Sequence, residues 1–218
     1  GDVQPCAALA HALVARSIPA RLFVYTSTYA DALTDHGVDV YQVGFDLQRK
    51  IESTPSLKRA LASGSSLKFF EAFDKAISTD EHVRVHEELI REVVAYAPSI
   101  VLSSLITCAA AQILLEKFGL PSMRLDLQNG VPTREQPCPG LEDLGLPGKC
   151  GWLNHLTWRL MAMMLRSSLM SGKNAKLRAG YGLESHTSYY SWRIAKRPLF
   201  PSLLCVSQHL FRTPADWK

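Results

Sequence analysis

No C-x-x-C pair occurs among the five cysteines, Cys6, Cys108, Cys138, Cys150 and Cys205, which are odd in number and widely spaced. The pattern argues for reduced cytosolic thiols, with Cys6 and Cys108 filling contacts between helices and sheet. Also lacking is a concentrated basic stripe. The net charge is only +4, and the densest short basic group is Arg193, Lys196 and Arg197. A nucleic-acid partner is therefore not expected, while mild attraction to anionic lipid is. Residues 1–16 have no basic start followed by a long apolar run, so they are no secretory leader. The mostly apolar stretch 152–170 is interrupted by His155, Arg159 and Arg166, which argues against a membrane span and for a buried or interfacial helix. There is no glycine-rich phosphate loop, no serine nucleophile elbow, and no internal repeat. His82 and His86 stand four apart, but "HEELI" (86–90) lacks the second histidine of H-E-x-x-H and no third ligand is evident. No metal is expected, and both histidines are expected on a solvated helix face.

What is present alternates. Cys6, Leu9, Ala10, Leu13 and Val14 recur with helical spacing, and the alanines between them let this helix lie close on a sheet. "ARLFVYT" (20–26) is a short apolar run of the kind buried in parallel sheets. "YADALTDHG" then predicts a short helix closed by Gly37, and "VDVYQVG" (38–44) a second strand. Residues 46–97 read as helices with polar breaks at Ser53–Pro55 and Ser63–Ser66. The last of them starts at Ser78 with Glu81 three residues on, and its apolar face carries Val85, Leu89, Val93 and Tyr96. "SIVLSS" (99–104), a helix over 107–119 stopped by Gly119, and "PSMRLDLQ" (121–128) form a second strand–helix–strand unit. The fold class is therefore α/β, a Rossmann-like parallel sheet with helices on both faces. From Asn129 to Gly151 the chain is rich in Gly, Pro and Cys and has no period, as long functional loops do.

In such sheets the first strand commonly lies in the middle. Here the first helix follows a Gly-Asp turn with no strand before it, so Gly1 is expected to begin a fragment whose lost residues include that strand. Asp2 would sit at that strand's carboxyl end, where α/β folds place ligands.

"GDVQP" with the following "ALAHALVAR" resembles the "GTRGDVQP" opening of sterol and lipid glucosyltransferases and related antibiotic glycosyltransferases. "VPTREQPCP" (131–139) is similar to their "TPTRAFPHP", with Pro132, Thr133, Arg134 and Pro137 matching. "WLNHLTWRLM" (152–161) is similar to the helix that follows, and "TPADW" (213–217) to their "RPADW". The matches run in order across the chain. The resemblance implies the N-terminal, acceptor-binding domain of a GT-B UDP-glycosyltransferase over residues 1–218, truncated at both ends, with the donor-binding C-terminal domain absent.

It further implies an inverting transfer from a UDP-sugar to a sterol or other lipophilic alcohol, without metal or cofactor, the UDP-sugar being held mainly by the other domain. Partners would be that domain, in cis or trans, and the acceptor, with a cytoplasmic location and a peripheral membrane contact. The alternative is a non-catalytic or split-enzyme interaction module.

On its own chemistry Asp2 reads first as a helix cap, stabilised by free N–H groups and the helix dipole; by resemblance it is the base that accepts the acceptor's proton, and both roles are compatible. Gln128, Asn129 and Thr133 open the long loop at a strand's carboxyl end and are expected to line the acceptor pocket. They are also the residue types that stabilise loops by local hydrogen bonds. Met161, Met163, Met164 and Met170 offer an adaptable wall for a bulky acceptor, but core packing explains them more cheaply. His11 is expected to be a partly buried structural histidine.

Overall fold

Each of the four predicted apolar runs forms a strand, and every ladder is parallel. The computed structural model describes residues 3–26, 30–104, 107–126, 133–138, 141, 150–168, 171–184, 202–205 and 215. In chain order these give α1 (Val3–Val14), β1 (Arg21–Val24), α2 (Ala30–Asp35), β2 (Asp39–Gln42), α3 (Leu47–Ser53), α4 (Pro55–Ala62) and α5 (Ser66–Ala76). They continue with α6 (Thr79–Tyr96), β3 (Val101–Ser103), α7 (Cys108–Phe118), β4 (Ser122–Asp126), α8 (Gly151–Ser168), α9 (Ser171–Gly180) and β5 (Ser202–Leu204). The chain is α/β.

Among the described residues the strands form two sheets: β1–β2, and β3–β4–β5. β1 pairs β2 with Phe23 opposite Tyr41, and β3 pairs β4 with Ser103 opposite Arg124. Among the described residues β1 and β3 share no ladder. One hydrophobic core nevertheless underlies both sheets. Val85, Leu89, Ile90 and Val93 of α6 and Ala110, Ile113 and Leu114 of α7 form it, with Phe23 and Tyr41 from the first sheet and Val101 from the second packed against it.

Local chemistry sets the helix ends. Gly37 and Gly119 take φ +76° and +67° after α2 and α7, which only glycine adopts without strain. The Ser78 hydroxyl accepts from Glu81 N at 3.1 Å, but the Glu81 carboxylate turns away to Lys50 Nζ at 2.9 Å. Half of the expected capping box forms, and the other half ties α6 to α3. Pro98 follows α6 as expected, though the left-handed residue that closes the helix is Ala97.

Two expectations about histidines are corrected. His82 and His86 are buried, not solvated, because α9 packs along that face of α6. Their rings lie 4.1 Å apart, with His82 Nε2 2.9 Å from Asn174 Oδ1 and His86 Nδ1 2.9 Å from the His82 carbonyl. α9 is anchored by the buried Leu177 and by Arg178, which donates to both carboxylate oxygens of Glu116 on α7. Lys173 on α9 pairs with Asp74 of α5 at 2.7 Å. His11, in contrast, is exposed, its ring edge-on to that of His36 at 5.9 Å. It sits on the uncovered side of a helix of which Ala10 alone is buried.

Burial first, then repulsion of a second positive charge by the adjacent His86 ring and by Lys173, lowers the His82 pKa to about 3; the bond to Asn174 opposes this. The folded state thus holds His82 neutral, whereas the unfolded chain takes up a proton near pH 6.5. Its contribution to stability is full above about pH 6.5 and is lost as pH falls toward 3. Melting temperature should therefore drop by roughly 5 °C or more between pH 7 and pH 5, and His82→Gln should flatten that limb. An unchanged slope in the variant would show that other groups drive the acid loss.

Candidate functional site

Parallel strands all point their carboxyl ends at one rim of their sheet, the usual ligand side of an α/β fold. At the end of β3, Ser104 N donates to the Thr107 hydroxyl at 3.1 Å, which turns the chain into α7. At the end of β4 stands a charged pair. Arg124 is fully buried and donates through Nη2 to Asp126 Oδ2, two residues on and therefore on the same face of the strand. Ser122, on that face too, donates to the Ala111 carbonyl of α7, so the pair lies on the α7 side of the sheet. Ser103, opposite Arg124 on β3, is buried beside it. Cys205 N closes the rim onto the Asp126 carbonyl at 2.8 Å, extending the β4–β5 ladder by one bond. Burial, and then the Asp126 charge, pushes the Cys205 thiol above its ordinary pKa, away from the reactive thiolate.

Beyond β4, residues 133–138 lie on the first turns of α8. Asn154 Nδ2 donates to the Arg134 carbonyl at 2.8 Å, and Trp158 Nε1 to the Gln136 carbonyl at 3.1 Å. Cys138 N donates to the Thr157 hydroxyl at 2.8 Å, and that hydroxyl donates to the Asn154 carbonyl at 2.7 Å. Gly151 makes this approach feasible, since a Cβ there would stand 3.2 Å from Arg134 Cβ. Cys138, Leu141 and Trp158 form a small apolar cluster under the loop, joined by Leu160 and Met161. A third segment arrives from the far end of the sequence: Ala215 N donates to Glu135 Oε1 at 2.7 Å. Irregular backbone that would otherwise leave polar groups unpaired is thus held by three α8 side chains and one carboxylate.

Thr133 is the one sequence-predicted site residue within the described residues. It is fully buried, and its hydroxyl accepts from Glu135 N at 3.1 Å, the local turn bond by which Thr stabilises loops. Asp2, Gln128 and Asn129 lie outside the described residues. Of the methionines, Met161 packs in the cluster under the loop, as the core-packing reading has it. No group of three or more His, Cys, Asp or Glu that could hold a metal occurs among the described residues. No helix described is long and apolar enough to cross a membrane. α8, the helix of the interrupted apolar stretch, leaves Trp152 69% exposed while burying Asn154, Thr157 and Trp158, an amphipathic placement.

Sequence reasoning missed the Arg124–Asp126 pair. Its signal was available: two charges spaced by two inside an otherwise apolar strand, which period-2 alternation puts side by side. It also missed Asn154, Thr157 and Trp158 as the clasp on the loop, although the stretch containing them was singled out.

No family model matches the chain, and no curated protein matches it. Among solved structures, the chain is similar to the Streptomyces sp. SF2575 glycosyltransferase SsfS6, at 13% identity and a TM-score of 0.45. The likeness covers 91% of this chain and 45% of that one, so the chain spans less than half the length of the protein it matches.

Proposed function

We propose that this chain is the acceptor-binding half of an inverting, UDP-sugar-dependent glycosyltransferase of the GT-B type, acting on a sterol or other lipophilic alcohol. One observation carries the reading. Three of the four sequence stretches that resemble such enzymes, though separated along the chain, meet in one cluster. Residues 133–138, α8 and Ala215 are joined by the side-chain hydrogen bonds described above. Motifs that match by chance have no reason to pack together, whereas parts of one acceptor loop do.

In this reading Asp2 is the base. The acceptor hydroxyl oxygen attacks C1 of the sugar and gives its proton to the Asp2 carboxylate. The bond from C1 to the phosphate oxygen breaks, and UDP leaves with its electron pair. Gln128 and Asn129 line the acceptor pocket. Thr133 serves the same pocket by fixing the shape of the loop through Glu135 N rather than by facing the acceptor. The UDP-sugar is held by a separate donor-binding domain, and a mild basic surface permits contact with a membrane that supplies the acceptor.

The 218-residue chain should accordingly bind lipophilic alcohols but transfer no sugar. Purified chain is titrated with a sterol series while its tryptophan fluorescence is followed, then incubated with UDP-glucose and the same sterols. Saturable sterol binding without glycoside is the expected result. Glycoside made by the chain alone would overturn the division into halves. Binding of UDP-glucose with no response to any lipophilic alcohol would overturn the acceptor role and favour a different module.

A further inference from the structure

The end of α1, the turn into β1, the start of β2 and the end of α6 enclose a cavity of about 340 Å³, at the small end of the range for ligand pockets. It lies at the amino ends of β1 and β2, whereas the loop held by α8 follows the carboxyl end of β4. We propose that this cavity binds a small amphipathic cation, an ammonium or guanidinium group carried on a short apolar body. The inference does not depend on the glycosyltransferase reading.

The lining divides by chemistry. Val14, Ile18 and Ala20 supply apolar wall, and Ile18 is left 48% exposed there. Ser17, Asp39 and Tyr96 supply the polar atoms and the aromatic ring. Among the described residues that line the cavity none is basic. The Asp39 carboxylate, whose side chain is half-exposed, is therefore the charge that an entering molecule meets.

The chain itself shows what Asp39 and Tyr96 hold. Arg21, opposite Asp39 in the β1–β2 ladder, donates through Nε to Asp39 Oδ2 at 2.7 Å. Its guanidinium carbon stands 4.5 Å from the centre of the Tyr96 ring. A carboxylate beside an aromatic face favours a cation over a neutral molecule of the same shape. Arg21 takes one oxygen of Asp39, while Oδ1 accepts no hydrogen bond from the described residues and is left for a ligand. α6 strengthens the preference: it runs for 18 residues and ends at Tyr96 with no basic residue in its last turn. Its carboxyl end brings partial negative charge to the same wall.

The backbone around the cavity is strained. Ser17 (φ 60°) and Ala97 (φ 52°), the neighbour of Tyr96, are the two non-glycine residues in the left-handed region among the described residues. Each follows a helix, at a place where glycine would carry no such strain. Strain of this kind collects at ligand sites. Ser17 keeps a hydroxyl on the cavity wall, without a hydrogen-bond partner among the described residues, and that oxygen can accept from an ammonium or guanidinium N–H.

Hexylammonium, 1-hexanol and hexanoate share one apolar body and differ in charge. Each is titrated against the full chain while its backbone amide NMR signals are followed. Hexylammonium should shift the signals of Ser17, Ala20, Gly37 and Asp39 saturably and bind about tenfold more tightly than hexanol. Hexanoate should give no saturable shift. Asp39→Asn should remove the preference for the cation and keep the melting temperature within roughly 3 °C of the parent, since the ion pair it breaks is partly exposed. Ala20→Leu narrows the cavity without touching Asp39 and should abolish hexylammonium binding. Should a variant fail to fold, the three ligands on the parent chain still decide. Equal binding of hexanol and hexylammonium, or no saturable shift with hexylammonium, overturns the proposal. So does hexylammonium binding that survives Ala20→Leu unchanged, because the cation then sits elsewhere.

Discussion

Asp2→Asn, made in the chain joined to a donor-binding domain, should lower turnover by about two to four orders of magnitude, with little change in stability. Asn keeps the size of Asp and caps helices about as well, so a capping role would survive the change. It cannot take up a proton at neutral pH, so a base would be lost. The two roles act on the carboxylate in opposite senses: capping and the helix dipole lower its pKa, while burial in a closed cleft raises it. A pH–rate profile therefore adds a second readout. If Asp2 is the base, its ionisation should set the acid limb of kcat, and Asn should abolish that limb along with the rate. A folded Asn variant that keeps near-parental turnover at saturating acceptor would leave Asp2 as a cap and nothing more.

The sheet was readable in the sequence because a buried parallel strand writes its own signal. The runs that became β1 and β3 are short, apolar and bounded by polar or helical residues, and they need no knowledge of their partners. What could not be read was every feature whose cause lies far along the chain. His82 and His86 have a solvated face in the helical wheel of α6 and lose it to α9, a helix whose buried apolar anchor among described side chains is Leu177. Further hold comes from the Asn174 bond to His82 and from ion pairs to Asp74, Asp80 and Glu116, which leave no periodic trace in the sequence. The loop after β4 was marked as functional by composition, but its clasp is made of side chains bonding to backbone groups of residues 133–138. Such bonds follow shape rather than spacing, and nothing in "WLNHLTWRLM" says which of its polar residues will turn inward. Thr133 illustrates the gap. Its residue type permits both pocket lining and a local turn bond, and only the 3.1 Å contact with Glu135 N shows which bond it makes.

The second large effect is expected at the charged pair of β4. Asp126→Ala should destabilise the chain by about 3–5 kcal/mol, because it removes the carboxylate facing an Arg124 that is fully buried. In a chain of this length that is a fall of roughly 10–15 °C in melting temperature. The size follows from the asymmetry of buried ion pairs. Bringing both charges out of water is costly and their attraction about offsets it, so the intact pair adds little, but one partner left alone keeps the cost without the attraction. The same argument fixes a control. Arg124→Met combined with Asp126→Leu removes both charges and fills similar volume, and it should recover most of the loss, giving a large coupling energy in the double-mutant cycle. If Asp126→Ala melts within about 1 °C of the parent, the pair is not the buried unit the structure depicts. Should the double variant fold well, it also asks why a charged pair stands at the carboxyl rim at all. An apolar pair would hold β4 as firmly. In the proposed function the pair orients the loop that begins at this edge, and the double variant should then weaken sterol binding while leaving the melting temperature close to the parent's.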